Sequence, residues 1–104
     1  MDVMDFTDDM KTIQLSKEGS FAELRKHLNT GNQKNIDFQN EDGDTALIWA
    51  ARRGHMNIVR NLLCHKANIH LTNNRGTTAI EEASTEEIKE EIRNFQGRLT
   101  KGAR

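Results

Sequence analysis

The 104-residue chain is predicted to be all-α, a short solenoid of stacked helix-turn-helix units joined by hairpin-like loops. Three observations carry that expectation. The first is an internal period: Gly43-Asp44-Thr45-Ala46-Leu47 and Gly76-Thr77-Thr78-Ala79-Ile80 start 33 residues apart, as do Asn35-Ile36-Asp37 and Asn68-Ile69-His70. The second is that apolar residues in each unit recur every three or four positions, the spacing of a helix with one buried face. The third is that Gly and Asn gather between those stripes, where tight turns need them. A unit of this length cannot bury its apolar face alone, so neighbouring copies stack to share one core.

The N-terminal unit spans about 7–35. Thr7 is placed to cap a first helix, with Asp8 and Asp9 where a helix N-terminus favours negative charge. Met10, Ile13 and Lys17 follow at helical spacing, and Gly19 ends the run. Ser20 and Glu23 form a capping-box pattern for a second helix, with Phe21, Leu24 and Leu28 as its stripe. Gly19–Leu24 resembles Gly54–Val59 at a spacing of 35. The two extra residues fall in the polar run 29–34, where a loop absorbs them at small entropic cost.

The central unit, 36–68, is the clearest. Asn40-Glu41-Asp42-Gly43 reads as a tight turn. Thr45 is placed to cap a helix whose Leu47, Ala50 and Ala51 give a small-sided face suited to close stacking. Gly54 ends that helix, and a second runs from about Met56 to His65 with Ile58, Val59, Leu62 and Leu63 inward. The last unit, 69–95, is shortened. After the turn Asn73-Asn74-Arg75-Gly76 comes a brief helix ending near Ala83, and Ser84 with Glu87 marks a capping box for a final helix. There Ile88, Ile92 and Phe95 form the apolar stripe, with Glu86, Glu87, Glu90 and Glu91 on the opposite side. Residues 96–104 are expected to be a flexible tail, leaving 1–95 as a single repeat domain.

Residues 43–63 read Gly-Asp-Thr-Ala-Leu-Ile-Trp-Ala-Ala-Arg-Arg-Gly-His-Met-Asn-Ile-Val-Arg-Asn-Leu-Leu. They resemble the core of an ankyrin repeat, whose signature runs Thr-Pro-Leu-His-x-Ala, then Gly-His, then a Leu-Leu pair. The resemblance is strong over 36–72, extends to about 83, and is weaker over 7–35. It implies a scaffold that holds a protein partner through its turn tips and concave helix face. The chain departs from the pattern in three places. Ala46 and Ala79 replace the signature proline, at little cost near a helix start. Ile48 and Glu81 replace the signature histidine, which in the family ties neighbouring repeats, so modest stability is expected. Lys66-Ala67 replaces the usual Gly-Ala, which is expected to force Lys66 into a left-handed conformation.

Carried over by position, the resemblance puts partner contacts at Glu41, Asp42, Asp44, Arg52 and Arg53 of the central unit, and at Asn74, Arg75 and Thr77 of the next. Lys17 and Glu18 are the equivalents upstream. Trp49, the lone tryptophan, is a further contact candidate because aromatic anchors dominate interface energetics. Against this, Arg52 and Arg53 also suit a helix C-terminus electrostatically. The position of Trp49 carries an apolar residue in the family, which favours core burial over a contact role.

Other classes of function find little support. A net charge of −1 and an isoelectric point near 6.4 give no general attraction to nucleic acid or anionic membrane. The single cysteine, Cys64, precludes an intrachain disulfide, and the first residues lack the layout of a secretory signal. A cytoplasmic or nuclear location is the expectation. Cys64 and His65 are adjacent on a predicted helix and point apart, and no paired metal-ligand spacing accompanies His70. No phosphate loop, nucleophile elbow or matched acid–base pair is present. The sequence therefore predicts a monomeric protein-interaction module (an adaptor, inhibitor or regulatory subunit) with no enzyme activity, cofactor or metal. The alternatives are a self-associating structural cap and a pathogen effector built on the same scaffold.

Overall fold

A computed structural model describes residues 8–30 and 35–102, with side chains through Phe95. The expected cap at Thr7 and most of the polar run after residue 30 lie outside the described residues. Among the described residues six helices follow in order: α1 (Asp8–Glu18), α2 (Phe21–Thr30), α3 (Ala46–Arg53), α4 (Met56–Cys64), α5 (Ala79–Glu82) and α6 (Glu86–Gly102). They pair as α1/α2, α3/α4 and α5/α6. Across the pairs α1, α3 and α5 form one row, and α2, α4 and α6 the other.

Local chemistry places most of the boundaries. The Thr45 hydroxyl accepts the Ile48 N–H at 3.1 Å and starts α3. Thr78 and Glu81 form a reciprocal capping box that starts α5. The final helix departs from expectation: its cap is Thr85, whose hydroxyl accepts the Ile88 N–H at 3.2 Å. Ser84 instead gives its backbone N–H to the Ala51 carbonyl of the preceding repeat, at 3.0 Å. Beyond Phe95, α6 continues to Gly102, into the stretch expected as a tail. Gln96, Arg98, Leu99 and Lys101 all tolerate a helix, and Gly97 costs only about 1 kcal/mol there.

The core follows the predicted stripes. Leu24 and Leu28, Ile58, Val59, Leu62 and Leu63, then Ile88 and Ile92 are all buried along the outer row. Ala46, Ala50, Ala51 and Ala79 are buried along the inner row, where a side chain no larger than a methyl group lets helices approach closely. Thr12 and Ser16 are buried polar residues of α1, each satisfied by a carbonyl one turn back, Asp8 and Thr12 respectively. His55 packs against Gly19 of the preceding repeat. A Cβ on Gly19 would stand 2.8 Å from its ring, so the Gly-His of the repeat has a packing role.

Lys66 adopts a left-handed backbone conformation, with φ of 69°. Its N–H donates to the Leu63 carbonyl and that of Ala67 to the Leu62 carbonyl, which closes α4 as a Schellman motif. Glycine holds this position without steric cost, so Lys66→Gly is expected to stabilise the domain by about 1 kcal/mol. Thermal melting should register a rise of roughly 4–8 °C.

Candidate functional site: the concave face and hairpin tips

The two hairpin tips are wired alike, one period apart. Asn40 Oδ1 accepts the N–H groups of Asp42 and Asp44, and Asn73 Oδ1 accepts those of Arg75 and Thr77. Each asparagine thus mimics a backbone acceptor and fixes its own turn. The tips then bond to each other. Asn74 N–H donates to the Asp42 carbonyl at 2.9 Å, and its side-chain amide to the Glu41 carbonyl at 2.9 Å. Gln39 Nε2 bridges to the Thr72 carbonyl at 2.8 Å.

Behind the tips lies a charged network that crosses from the central repeat to the last. Asp44 is only 2% exposed and receives both terminal nitrogens of Arg52, at 3.1 and 3.2 Å. It also accepts Asn73 Nδ2 at 2.9 Å. Arg52 Nε turns the other way, to Glu82 Oε1 at 3.0 Å. Glu82 Oε2 accepts the Thr77 hydroxyl at 2.6 Å and Arg75 Nη2 at 2.9 Å. Burial works against the Arg52 charge, but its hydrogen bonds to Asp44 and Glu82 outweigh that, so its pKa is raised. Ile48, in the place of the signature histidine, is buried and packs. The tie between repeats is carried instead by Asp44, Arg52, Asn73 and Glu82.

Hydrogen bonds from Thr77, Arg75 and Arg52 lower the Glu82 carboxyl from 4.5 to about 2. A depressed carboxylate stabilises the fold above its unfolded pKa and loses that contribution as pH falls through the folded value. The contribution is therefore complete above pH 4.5 and fades between there and about pH 2. Melting temperatures measured across that window should fall with acid, and Glu82→Gln should flatten the dependence.

Trp49 sits on α3 at the seam with α1. It is half-buried: it packs on the core and also lines a cleft. Three cations approach its ring, with Arg52 at 4.7 Å from the centroid, Lys17 at 5.0 Å and Arg53 at 5.4 Å. Its indole Nε1–H is buried with no acceptor among the described residues. The cleft, about 170 Å³, is lined by Met10, Ile13, Gln14 and Lys17 of α1, by Trp49, and by Asn40 and Asp42 of the first tip. Met10 is 37% exposed at its mouth.

The nine residues expected to touch a partner thus divide. Glu41, Asp42, Arg53, Asn74 and Arg75 are exposed, and Trp49 is half-buried beside the cleft. Asp44 is turned inward, Arg52 is held between two carboxylates, and the Thr77 hydroxyl is taken by Glu82. Met10 and Glu82 have places at this face that no sequence motif announced. Met10 read only as a stripe residue, and Glu82 has partners 5, 7 and 30 positions away in sequence. A second groove, between α1 and α2, is lined by Lys11, Lys26, Asp8 and Glu23, charges of both signs, with His27 and Thr30 and no apolar side chain. Among the described residues no three His, Cys, Asp or Glu side chains converge as metal ligands, and no helix is long and apolar enough to cross a membrane.

Comparison with known proteins bears directly on this architecture. Residues 13–94 match the family described as "Ankyrin repeats (3 copies)". Over 78 residues the chain is 33% identical to the human "DNA-binding protein RFXANK", covering 75% of this chain and 30% of that protein. The ankyrin repeat domain of Bcl-3, described as a member of the IkappaB protein family, superposes with a TM-score of 0.74 at 26% identity. That match covers 79% of this chain and 35% of the other. A chain from the complex of the Bdellovibrio bacteriovorus predatory endopeptidase Bd0816 with immunity protein Bd3460 superposes with a TM-score of 0.73 at 33% identity. The coverage there is 81% of this chain and 45% of that one. The chain therefore spans less than half the length of each of these three. Ankyrin repeats are protein–protein interaction modules and typically non-catalytic. With three such repeats stacked over most of its length, the chain belongs to the ankyrin-repeat family.

Proposed function

We propose that this chain is a protein-binding module, working as an adaptor, inhibitor or regulatory subunit. Its contact face is the hairpin tips together with the exposed side of α1 and α3. The observation that carries the reading is the Trp49 cleft. A lone tryptophan, half-exposed among cations and beside an exposed methionine, has the composition of an interface anchor. Glu41, Asp42, Arg53, Asn74 and Arg75 form the polar rim in this reading. Asp44, Arg52 and Thr77 act as positioning residues behind it. A cytoplasmic or nuclear location accompanies the proposal and is supported by Cys64, which is free and exposed.

The test uses only exposed positions, because Asp44 and Arg52 are built into the fold. A variant carrying Lys17→Glu, Arg53→Glu and Asp42→Lys should keep its circular dichroism and melting temperature yet lose proteins that the wild type captures. Equal recovery of the same proteins would place the contact face elsewhere. One observation favours a second reading, self-association through the end of the stack. Gly76, at the tip of the last hairpin, has no atom within 4 Å of where a side chain would begin, so that tip is uncovered. Light scattering that holds at 11.9 kDa over a wide concentration range would dismiss it.

A further inference from the structure

We propose that the cleft between α1 and α3 takes one bulky apolar side chain from a partner segment that also carries a carboxylate within about three residues, seated on Lys17 and Arg53. This rests on the protein-binding reading and names the chemistry of the partner. The apolar part follows from the cleft walls. Met10, Ile13 and Trp49 form the apolar wall of a space of about 170 Å³, whose other walls are Gln14, Lys17, Asn40 and Asp42. By volume alone that suffices for one ring, since an enclosed apolar cavity of about 150 Å³ holds benzene.

The acidic part follows from the charge balance. Of the three cations around the indole, Arg52 is neutralised by Asp44 and Glu82. Lys17 and Arg53 are exposed and have no carboxylate partner among the described residues. Both stand at the C-terminal ends of their helices, where the helix dipole favours a cation and so holds it in place. Lys17 lies seven residues beyond Met10 on α1, roughly 10 Å along the axis. An extended segment covers that distance in about three residues. At the opposite end the tip presents Glu41 and Asp42, which repel a second carboxylate and fix the direction in which the segment lies. The indole N–H of the same ring is buried and has no acceptor among the described residues. A nucleic acid strand fits less well: two uncompensated cations bordered by Glu41 and Asp42 are a poor match for a run of phosphates.

A random-peptide display selection against the full chain tests the proposal, with emission from Trp49, the sole tryptophan, as reporter. Selected peptides should share one bulky apolar residue with Asp or Glu within three positions, and should shift the emission. The Lys17→Glu, Arg53→Glu variant, which alters only exposed side chains, should bind them about tenfold or more weakly. Reselection on that variant should return Lys or Arg where the acid stood. Peptides that shift Trp49 emission but show no acidic preference, or that bind the variant equally, overturn the inference and leave the contact face standing. Peptides that bind without affecting Trp49 overturn both. Competition by a single-stranded oligonucleotide at the same site also overturns the acidic-peptide assignment.

Discussion

Replacing Asp44 with alanine is expected to destabilise the domain by about 3 kcal/mol, the lower end of what breaking a buried ion pair costs. The lower end applies because Arg52, 23% exposed and still bonded to Glu82, retains one partner and some solvent. Three groups lose their acceptor at once: both terminal nitrogens of Arg52 and the amide of Asn73. The first two belong to the central repeat and the third to the next, so the substitution loosens the stack as well as one helix. A domain of this size shifts by roughly 4–8 °C per kcal/mol, so the melting temperature should fall by well over ten degrees. Arg53→Ala, one residue along and exposed, should stay within about 0.5 kcal/mol of wild type. Urea unfolding of both variants provides the comparison. If Asp44→Ala tracks Arg53→Ala, the network does not hold the repeats together.

That contrast marks where the sequence stops being legible. Arg52 and Arg53 are adjacent basic residues in the last turn of α3, and pattern alone assigns them one role. One residue of helical rotation sends the first between two carboxylates and leaves the second exposed beside the Trp49 ring. The period, by contrast, is legible because it is written in local chemistry. Asn40 and Asn73 each bond backbone groups two and four positions ahead, so the tips form from short-range information. The threonine caps of α3 and α5 are local in the same sense. The start of α6 is not. Ser84 precedes a glutamate at the capping-box spacing, but its backbone N–H is engaged by Ala51, and Thr85 takes the cap. Glu82 is invisible to one-dimensional reading for the same reason: its partnership with Arg52 crosses 30 positions. From sequence Trp49 suits either core or contact, and it borders both because the seam between α1 and α3 opens there.

Gly43→Ala is expected to cost about 3 kcal/mol or more, and Gly76→Ala only about 1 kcal/mol, although the two glycines share the same place in the repeat and nearly the same φ, 79° and 78°. The conformational penalty of a side chain in the left-handed region is common to both, about 1–2 kcal/mol. The surroundings differ. A Cβ on Gly43 would stand 2.7 Å from Asn74 Oδ1, 2.8 Å from the Asn74 backbone nitrogen and 3.0 Å from Asn73 Cα. Two of those are backbone atoms, which have no rotamer to escape into. Relief requires the tips to separate, which breaks the bonds from Asn74 to the Asp42 and Glu41 carbonyls. A Cβ on Gly76 meets nothing within 4 Å. The difference between the variants, read from paired urea titrations, therefore isolates the cost of parting the hairpins from the cost of the backbone angle. Equal losses would mean that the tips do not stack. A large difference would mean that the tip bearing Asp42 is braced before any partner arrives. A braced tip loses little conformational entropy on binding, which is the advantage a preorganised contact face has over a mobile loop.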